Sequence, residues 1–315
     1  MLNKSLLSGR GKGNTFSPFR IGKRKFDVEN ILAYIVFIGP AFVLFTLFFI
    51  YPLLGGLYYS FTDWDAASTQ INMVGFKNYA NLFTNDPNFM DSINRTFYIA
   101  LINVFLTNVL AMTFAIALTS SFKLNNLFRA VIFLPNVISM VISGFIWQFM
   151  FTRISTSAYK ATGLELFNVS WLGDTQNVIY AIVIVSLWQG LGYIMTIYIA
   201  GLMGVDESLV EAAEIDGASG WQVFFRIKLP VMLPVITVGA FLNIAGSLKI
   251  FDIIYSLTGG GPGRASEVAM LNIYREAFVF NRFGYGTAKA VILSIIIILI
   301  TIIQLRITSR KEVDM

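Results

Sequence analysis

The chain has 315 residues, 56% hydrophobic and only 13% charged, with a net charge of +5 and a mean hydropathy of +0.69. A soluble domain carries roughly 25% charged residues, so a water-soluble globule is excluded. Cysteine and histidine are both absent, which excludes disulfides, thiolate metal sites and the usual proton shuttle.

Residues 1–30 form a polar tail rich in Gly, Ser, Lys and Arg, with Lys4, Arg10, Lys12, Arg20, Lys23, Arg24 and Lys25. Six apolar runs then follow, at 31–55, 93–120, 128–151, 177–202, 231–256 and 287–307. Each is long enough for a transmembrane helix. Barrel-type alternation is missing, and lipid leaves an unclosed backbone only the helix. The expected fold class is all-α, a polytopic membrane protein with six transmembrane helices. Basic residues set the orientation. The tail, Lys123 and Arg129, Arg226 and Lys228, and Arg306, Arg310 and Lys311 fall on one side, which places both termini in the cytoplasm. The same basic tail suits contact with anionic lipid, and no nucleic-acid partner is expected.

The loop after the first run holds Tyr58, Tyr59 and Trp64, which suit the membrane interface. Within the spans, Asn103, Asn108, Gln189, Tyr193 and Asn243 are polar groups at depth. Helix–helix hydrogen bonding is the default role of such groups. Sugar recognition needs amides and carboxylates near aromatic rings, so Gln189, Tyr193 (one turn on) and Asn243 are candidates for a substrate path. Lys249 and Asp252 are three apart at the end of the fifth run. They are expected to share a helix face, as a structural pair or end-of-helix snorkel, or alternatively as a wall of the path. Lys289 is expected at the membrane interface. The stretch Thr258–Gly263 is rich in Gly, but no Lys-Ser/Thr follows it, so it lacks the nucleotide-binding loop.

The most informative segment is 205–230, between the fourth and fifth runs. Val205, Leu209, Ala212 and Ala213 fall on one helical face, with Asp206, Glu207, Glu211 and Glu214 elsewhere. Gly217 is expected to stop this helix. Ser219 is expected to cap a second helix, 220–228, carrying Trp221, Phe224 and Phe225. Such a helix–turn–helix knob is either a loop lying on headgroups or a handle for a partner with a groove.

Glu211-Ala212-Ala213, three residues, Gly217, nine residues, Ile227, one residue, Leu229-Pro230 reproduces the "EAA" loop of ATP-binding-cassette importer permeases. Tyr59–Trp64, Asn78-Tyr79, Arg129 with Leu134-Pro135, Lys249–Asp252 and Thr258–Pro262 resemble the carbohydrate branch of that family. The resemblance spans about residues 30–307, and is to the longer permease of a heteromeric pair, as in maltose-type importers. It implies a type I permease with a MetI-like core of five helices (93–307), an N-terminal helix with its external loop (31–92) and a short cytoplasmic C-terminus (308–315). It implies a docking role for Glu211, Ala212, Ala213, Asp216, Gly217, Ile227, Leu229 and Pro230 against an ATPase. The implied partners are a second permease, an ATPase dimer, an external sugar-binding protein and a carbohydrate substrate, in a bacterial cytoplasmic membrane. No cofactor is expected on this chain, with ATP and Mg carried by the ATPase, and no catalysis is expected. The rivals are an ion-driven secondary transporter, an intramembrane enzyme, and a permease for another small solute. An inverted repeat and a catalytic pair at depth, which the first two would need, are not visible.

Overall fold

The computed structural model describes residues 28–65, 70–120 and 124–313. Most of the basic tail and Lys123 lie outside the described residues. The chain divides into two compact units, 1–54 and 55–315.

In the first unit, α1 (Val28–Phe45) carries Pro40 internally and runs into a π-helical turn, Thr46–Ile50. Phe45 stacks on Phe49 there at 5.2 Å. The chain continues as α2 (Tyr51–Tyr59). The stretch Val36–Tyr59 is apolar enough to cross a membrane, and none of it is buried.

In the second unit, α3 (Lys77–Thr84) is anchored by Asn78, whose amide donates to Ser60 O at 2.9 Å and Thr62 O at 2.8 Å. Asp86 then caps α4 (Pro87–Thr119), accepting from Phe89 N at 3.0 Å, with Pro87 at the tolerated first turn. That cap starts the helix several residues before the apolar run does. Parallel to it, α8 (Asn177–Met203) forms the other half of the central pair. Ile99 meets Val178, Ile182 and Val185 in one buried cluster, and Ala111 and Ala115 meet Ile194, Met195 and Tyr198 in another. The small residues let the two backbones approach, as expected where lipid offers no hydrophobic contrast.

The third and fifth runs depart from straight spans. α5 (Asn125–Val137) and α6 (Met140–Phe149) meet at 98°. Pro135 lies in the last turn of α5, where proline removes a donor and crowds the preceding turn, and the chain leaves the helix at Ile138 and Ser139. A π-helical turn, Met150–Ile154, and α7 (Ser155–Thr162) complete this arm. In place of one fifth helix over 231–256 there are several pieces. α10 (Gly220–Val223), a π-helical turn Phe224–Lys228 and α11 (Leu229–Val231) bend by 71° into α12 (Leu233–Leu248). After a break at Lys249–Phe251 comes α13 (Asp252–Leu257). Beyond a loop, α14 (Ala269–Tyr274) and a π-helical turn Arg275–Val279 precede α15 (Phe283–Val313). Among the described residues four helices are thus long and apolar enough to span a membrane, and up to six if each bent pair counts as one span. Among the described residues there is no strand beyond one isolated bridge, Thr62–Met73.

Candidate functional site: the handle and the polar cavity

Between α8 and α12 the chain builds the knob. Asp206 caps α9 (Glu207–Ile215), its Oδ1 accepting from Ser208 N at 3.0 Å. That bond holds the Asp206 carboxyl below its ordinary value. Gly217, at φ +81°, closes α9. Ala218 N donates to Ala213 O at 2.9 Å and Gly217 N to Glu214 O at 3.0 Å, the paired bonds of a Schellman ending. Ser219 opens α10 with a reciprocal capping box: Ser219 N donates to Gln222 Oε1 at 2.7 Å, and Gln222 N donates to Ser219 Oγ. The second helical stretch continues through the π-helical turn to Val231 rather than ending at 228, with Pro230 within it.

Little of the knob's apolar surface is covered by this chain. Ile215 is 86% exposed and Trp221 75% exposed, and Trp221 stacks on an exposed Phe225 at 5.7 Å. Of the face Val205, Leu209, Ala212 and Ala213, only Val205 packs against the core, while Leu209 and Ala212 are exposed. A concavity of about 330 Å³ runs between α9 and α10, lined by Ala213, Asp216, Gly217, Gln222, Arg226 and Ile227. Glu211 is exposed at its side and makes no ion pair among the described residues. Leu229 and Pro230 are half-buried where the knob joins α12.

Further along, Gln189, Tyr193, Asn243, Lys249 and Asp252 come together around one cavity of about 210 Å³. Gln189 is 3% exposed, and its Nε2 donates at 2.7 Å to Ile138 O, the carbonyl left open by the α5–α6 bend. Among the described residues its Oε1 has no partner, and neither do Ser186 Oγ or Asn243 Nδ2. Buried polar groups are normally satisfied, so three orphans on one cavity wall mark a place for a polar ligand or water. Asn103 donates to Ser247 Oγ at 2.9 Å, which donates to Asn243 Oδ1 at 3.2 Å, tying α4 to α12. Asn108 accepts from Tyr198 OH, an ordinary helix–helix bond.

Lys249 and Asp252 do not share a helix face. The break between α12 and α13 separates them, and they form no ion pair among the described residues. Both line the cavity instead. Lys249→Ala is therefore expected to leave the amount of assembled protein unchanged, as measured by size-exclusion chromatography of the purified complex.

Lys289 is buried inside the protein, not exposed at its surface. It is 1% exposed, and its Nζ lies 2.6 Å from Glu276 Oε2, 2.8 Å from Asp86 Oδ2 and 2.9 Å from Asn272 Oδ1. A second buried carboxylate, Glu267, accepts from Arg264 Nε at 3.0 Å, Asn272 Nδ2 at 2.7 Å and Arg275. The signal in sequence was an alternation of sign over Arg264, Glu267, Arg275, Glu276 and Arg282, followed by Lys289, within an aromatic stretch. Buried charges survive only when paired. Burial pushes the Glu267 carboxyl up, but hydrogen bonds from Arg264 and Asn272 and the charges of Arg264 and Arg275 outweigh it and hold the group below its ordinary value. Asp86 is lowered in the same way, with the Lys289 bond chief among the opposing causes. Depressed carboxylates contribute stability above their unfolded pKa and lose it as pH falls through the folded value. Thermal stability of the purified complex is thus expected to be flat from about pH 7 to about pH 5, and to fall only below about pH 4. An early loss near pH 6 would contradict the paired network.

Residues 107–313 match the family described as binding-protein-dependent transport system inner membrane component. The probable starch degradation products transport system permease protein AmyD of Thermoanaerobacterium thermosulfurigenes is 36% identical over 293 residues, covering 93% of this chain and 99% of the relative. The multiple sugar-binding transport system permease protein MsmF of Streptococcus mutans is 34% identical over 271 residues, covering 86% and 93%. A crystal structure of a bacterial ABC transporter that imports the acidic polysaccharide alginate aligns with TM-score 0.77 at 21% identity, over 90% of this chain and 96% of that one. At that identity the likeness carries the fold. Family match and relatives together place this chain among the binding-protein-dependent transport system inner membrane components, the multi-pass permeases of ABC importers.

Proposed function

We propose that this chain is one permease of a heteromeric, ATP-driven importer of a saccharide, and that the cavity between α4, α8 and α12 is part of the solute path. The observation that carries it is the set of unpartnered buried polar atoms, Gln189 Oε1, Ser186 Oγ and Asn243 Nδ2, beside Tyr193, Lys249 and Asp252. Amides, hydroxyl and carboxylate beside an aromatic ring are the groups that recognise a polyol. The relatives named for starch degradation products and for multiple sugars point to the same class. A volume of about 210 Å³ falls below the roughly 300–1,000 Å³ of whole-ligand pockets. This chain would therefore hold one end of an oligosaccharide, and a second permease would complete the path.

The knob supports the mechanical half of the proposal. Its exposed Ile215, Trp221 and Phe225 and the concavity beside Gly217 suit helix-in-groove docking on an ATPase subunit. Glu211, Ala212, Ala213 and Asp216 would line the contact, while Ile227, Leu229 and Pro230 anchor the knob to α12. ATP and Mg would bind the ATPase, and this chain would carry out no chemistry. Closing of the ATPase dimer would move the knob and, through the bend at Met232, α12 and the cavity wall. The path would then open alternately to each side, accepting solute from the external binding protein. The knob and both termini would face the cytoplasm.

The test is uptake of labelled maltodextrins by the reconstituted importer carrying Asn243→Ala. Loss of one hydrogen bond to solute predicts a rise in half-saturation of roughly tenfold, with basal ATPase unchanged. Unaltered half-saturation would remove the cavity from the path.

A further inference from the structure

The buried lysine has a consequence for the cavity. α15 is lightly packed, with only 6% of its apolar window buried, yet Lys289 near its start is 1% exposed. From Lys289 Nζ a continuous chain of polar contacts runs back through the fold. Asn272 accepts from Lys289 at 2.9 Å and donates to Glu267 at 2.7 Å. Glu267 accepts from Arg275, and Arg275 donates its other terminal nitrogen to Gly259 O. Gly259 closes α13, its N–H donating to Ile254 O at 2.9 Å beside Thr258 N at 3.1 Å. At the opposite end of the same helix, Asp252 and Ile253 stand in the cavity wall.

α13 has six residues, too few to be stable by itself. Ile253, Ile254 and Leu257 are buried in the core and Gln148 Nε2 donates to Leu257 O at 3.2 Å, but apolar burial and one neutral hydrogen bond set only loosely how far a short helix slides along its neighbours. Charge-assisted hydrogen bonds do set it, because they are directional and strong.

We propose that Lys289 is a positioning residue for the solute cavity: acting through Asn272, Glu267 and Arg275, it holds α13 in register and thereby sets where Asp252 stands. The inference rests on that cavity being the solute path. It assigns a transport role to a lysine far along the chain from every cavity residue. Asp86 and Glu276, the other two partners of Lys289, hold it from α4 and from the turn before α15. The anchor therefore joins three elements to α13.

The experiment uses the complete importer in lipid nanodiscs. The chain has no cysteine, so introduced cysteines are its only labelling sites, and the partner subunits are used in cysteine-free form. One pair, Tyr255→Cys on α13 with Leu101→Cys on α4, reports α13, both sites being exposed. A second pair, Leu101→Cys with Ile298→Cys on α15, serves as control. Lys289→Met is expected to broaden and shift the α13 distance, and to raise the half-saturation for binding-protein-delivered maltodextrin about tenfold, the scale of one misplaced charge-assisted bond. Arg275→Lys leaves a single ammonium where two terminal nitrogens served Glu267 and Gly259 O, so the bridge between them is lost, and the variant is expected to broaden the α13 pair while leaving the control pair narrow. It tests the link from the network to α13 even if Lys289→Met fails to assemble. An α13 distance in Arg275→Lys as narrow as the parent's would overturn the proposal. The distance measurement needs no solute, so an importer that ignores saccharides but shows a displaced α13 would reject the saccharide assignment alone.

Discussion

Gly217→Asp is expected to abolish coupled uptake while leaving the chain inserted and assembled. Gly217 sits at φ +81°, and a Cβ built there meets nothing within 4 Å. Steric overlap inside this chain is therefore not the cause. A non-glycine residue in the left-handed region costs about 1–2 kcal/mol, which an inserted helical protein tolerates. The larger effect comes from outside: a carboxylate would project from the turn into the concavity proposed to receive the ATPase. Gly217→Asn separates the two causes. Asparagine tolerates the left-handed region and carries no charge. It is expected to retain a substantial part of the uptake that aspartate loses. Uptake and ATP hydrolysis are measured together on the reconstituted complex. Full coupling in Gly217→Asp, at normal expression, would remove the knob from the ATPase interface.

The second large effect is on stability. At Gly192, a Cβ would stand 2.4 Å from Ile132 O and 2.6 Å from Phe133 Cα. Both neighbours are backbone, so no side-chain rotation relieves the contact, and α5 would have to move off α8. Overpacking typically costs 1–3 kcal/mol and occasionally more; with backbone on both sides Gly192→Ala is expected to reach about 3 kcal/mol. The carbonyl of Ile138, which Gln189 satisfies, lies at the end of the same α5 and would be displaced with it. Thermal unfolding of the purified chain in nanodiscs measures the loss. Gly190→Ala is the comparison: its Cβ meets nothing within 4 Å, and alanine favours the helix over glycine, so its melting temperature is expected to be unchanged or higher. Equal stability of the two variants would contradict the close α5–α8 approach.

The knob was legible almost residue by residue. Gly217 ends one helix and Ser219 starts the next because a left-handed glycine and a hydroxyl cap act within four residues of themselves. The membrane class was equally open to reading, since apolar run length is a local property. The bends were not. The run 128–151 read as one span, and only the packed structure shows that it bends and that the opened Ile138 carbonyl is satisfied by Gln189, 51 positions away. The break after Leu248 was not legible either. Lys249 and Asp252, three apart, suggested a pair on one face; the backbone between them turns out of the helix and leaves both lining a cavity.

Lys289 shows the same division more sharply. A lone lysine near the start of an apolar helix suggests snorkelling to the interface, because nothing nearby in sequence neutralises it. Its partners are Asp86, Asn272 and Glu276, which belong to other elements. The sequence by itself determined the class, the helical content, the knob and the family resemblance, all of which rest on run length, spacing and capping. The tertiary structure alone decided where the spans bend, which polar groups meet around the cavity, and which buried charge anchors them. Hydrogen bonds and ion pairs join groups by distance in space, and in a helical membrane protein that distance is set by packing between segments far apart along the chain.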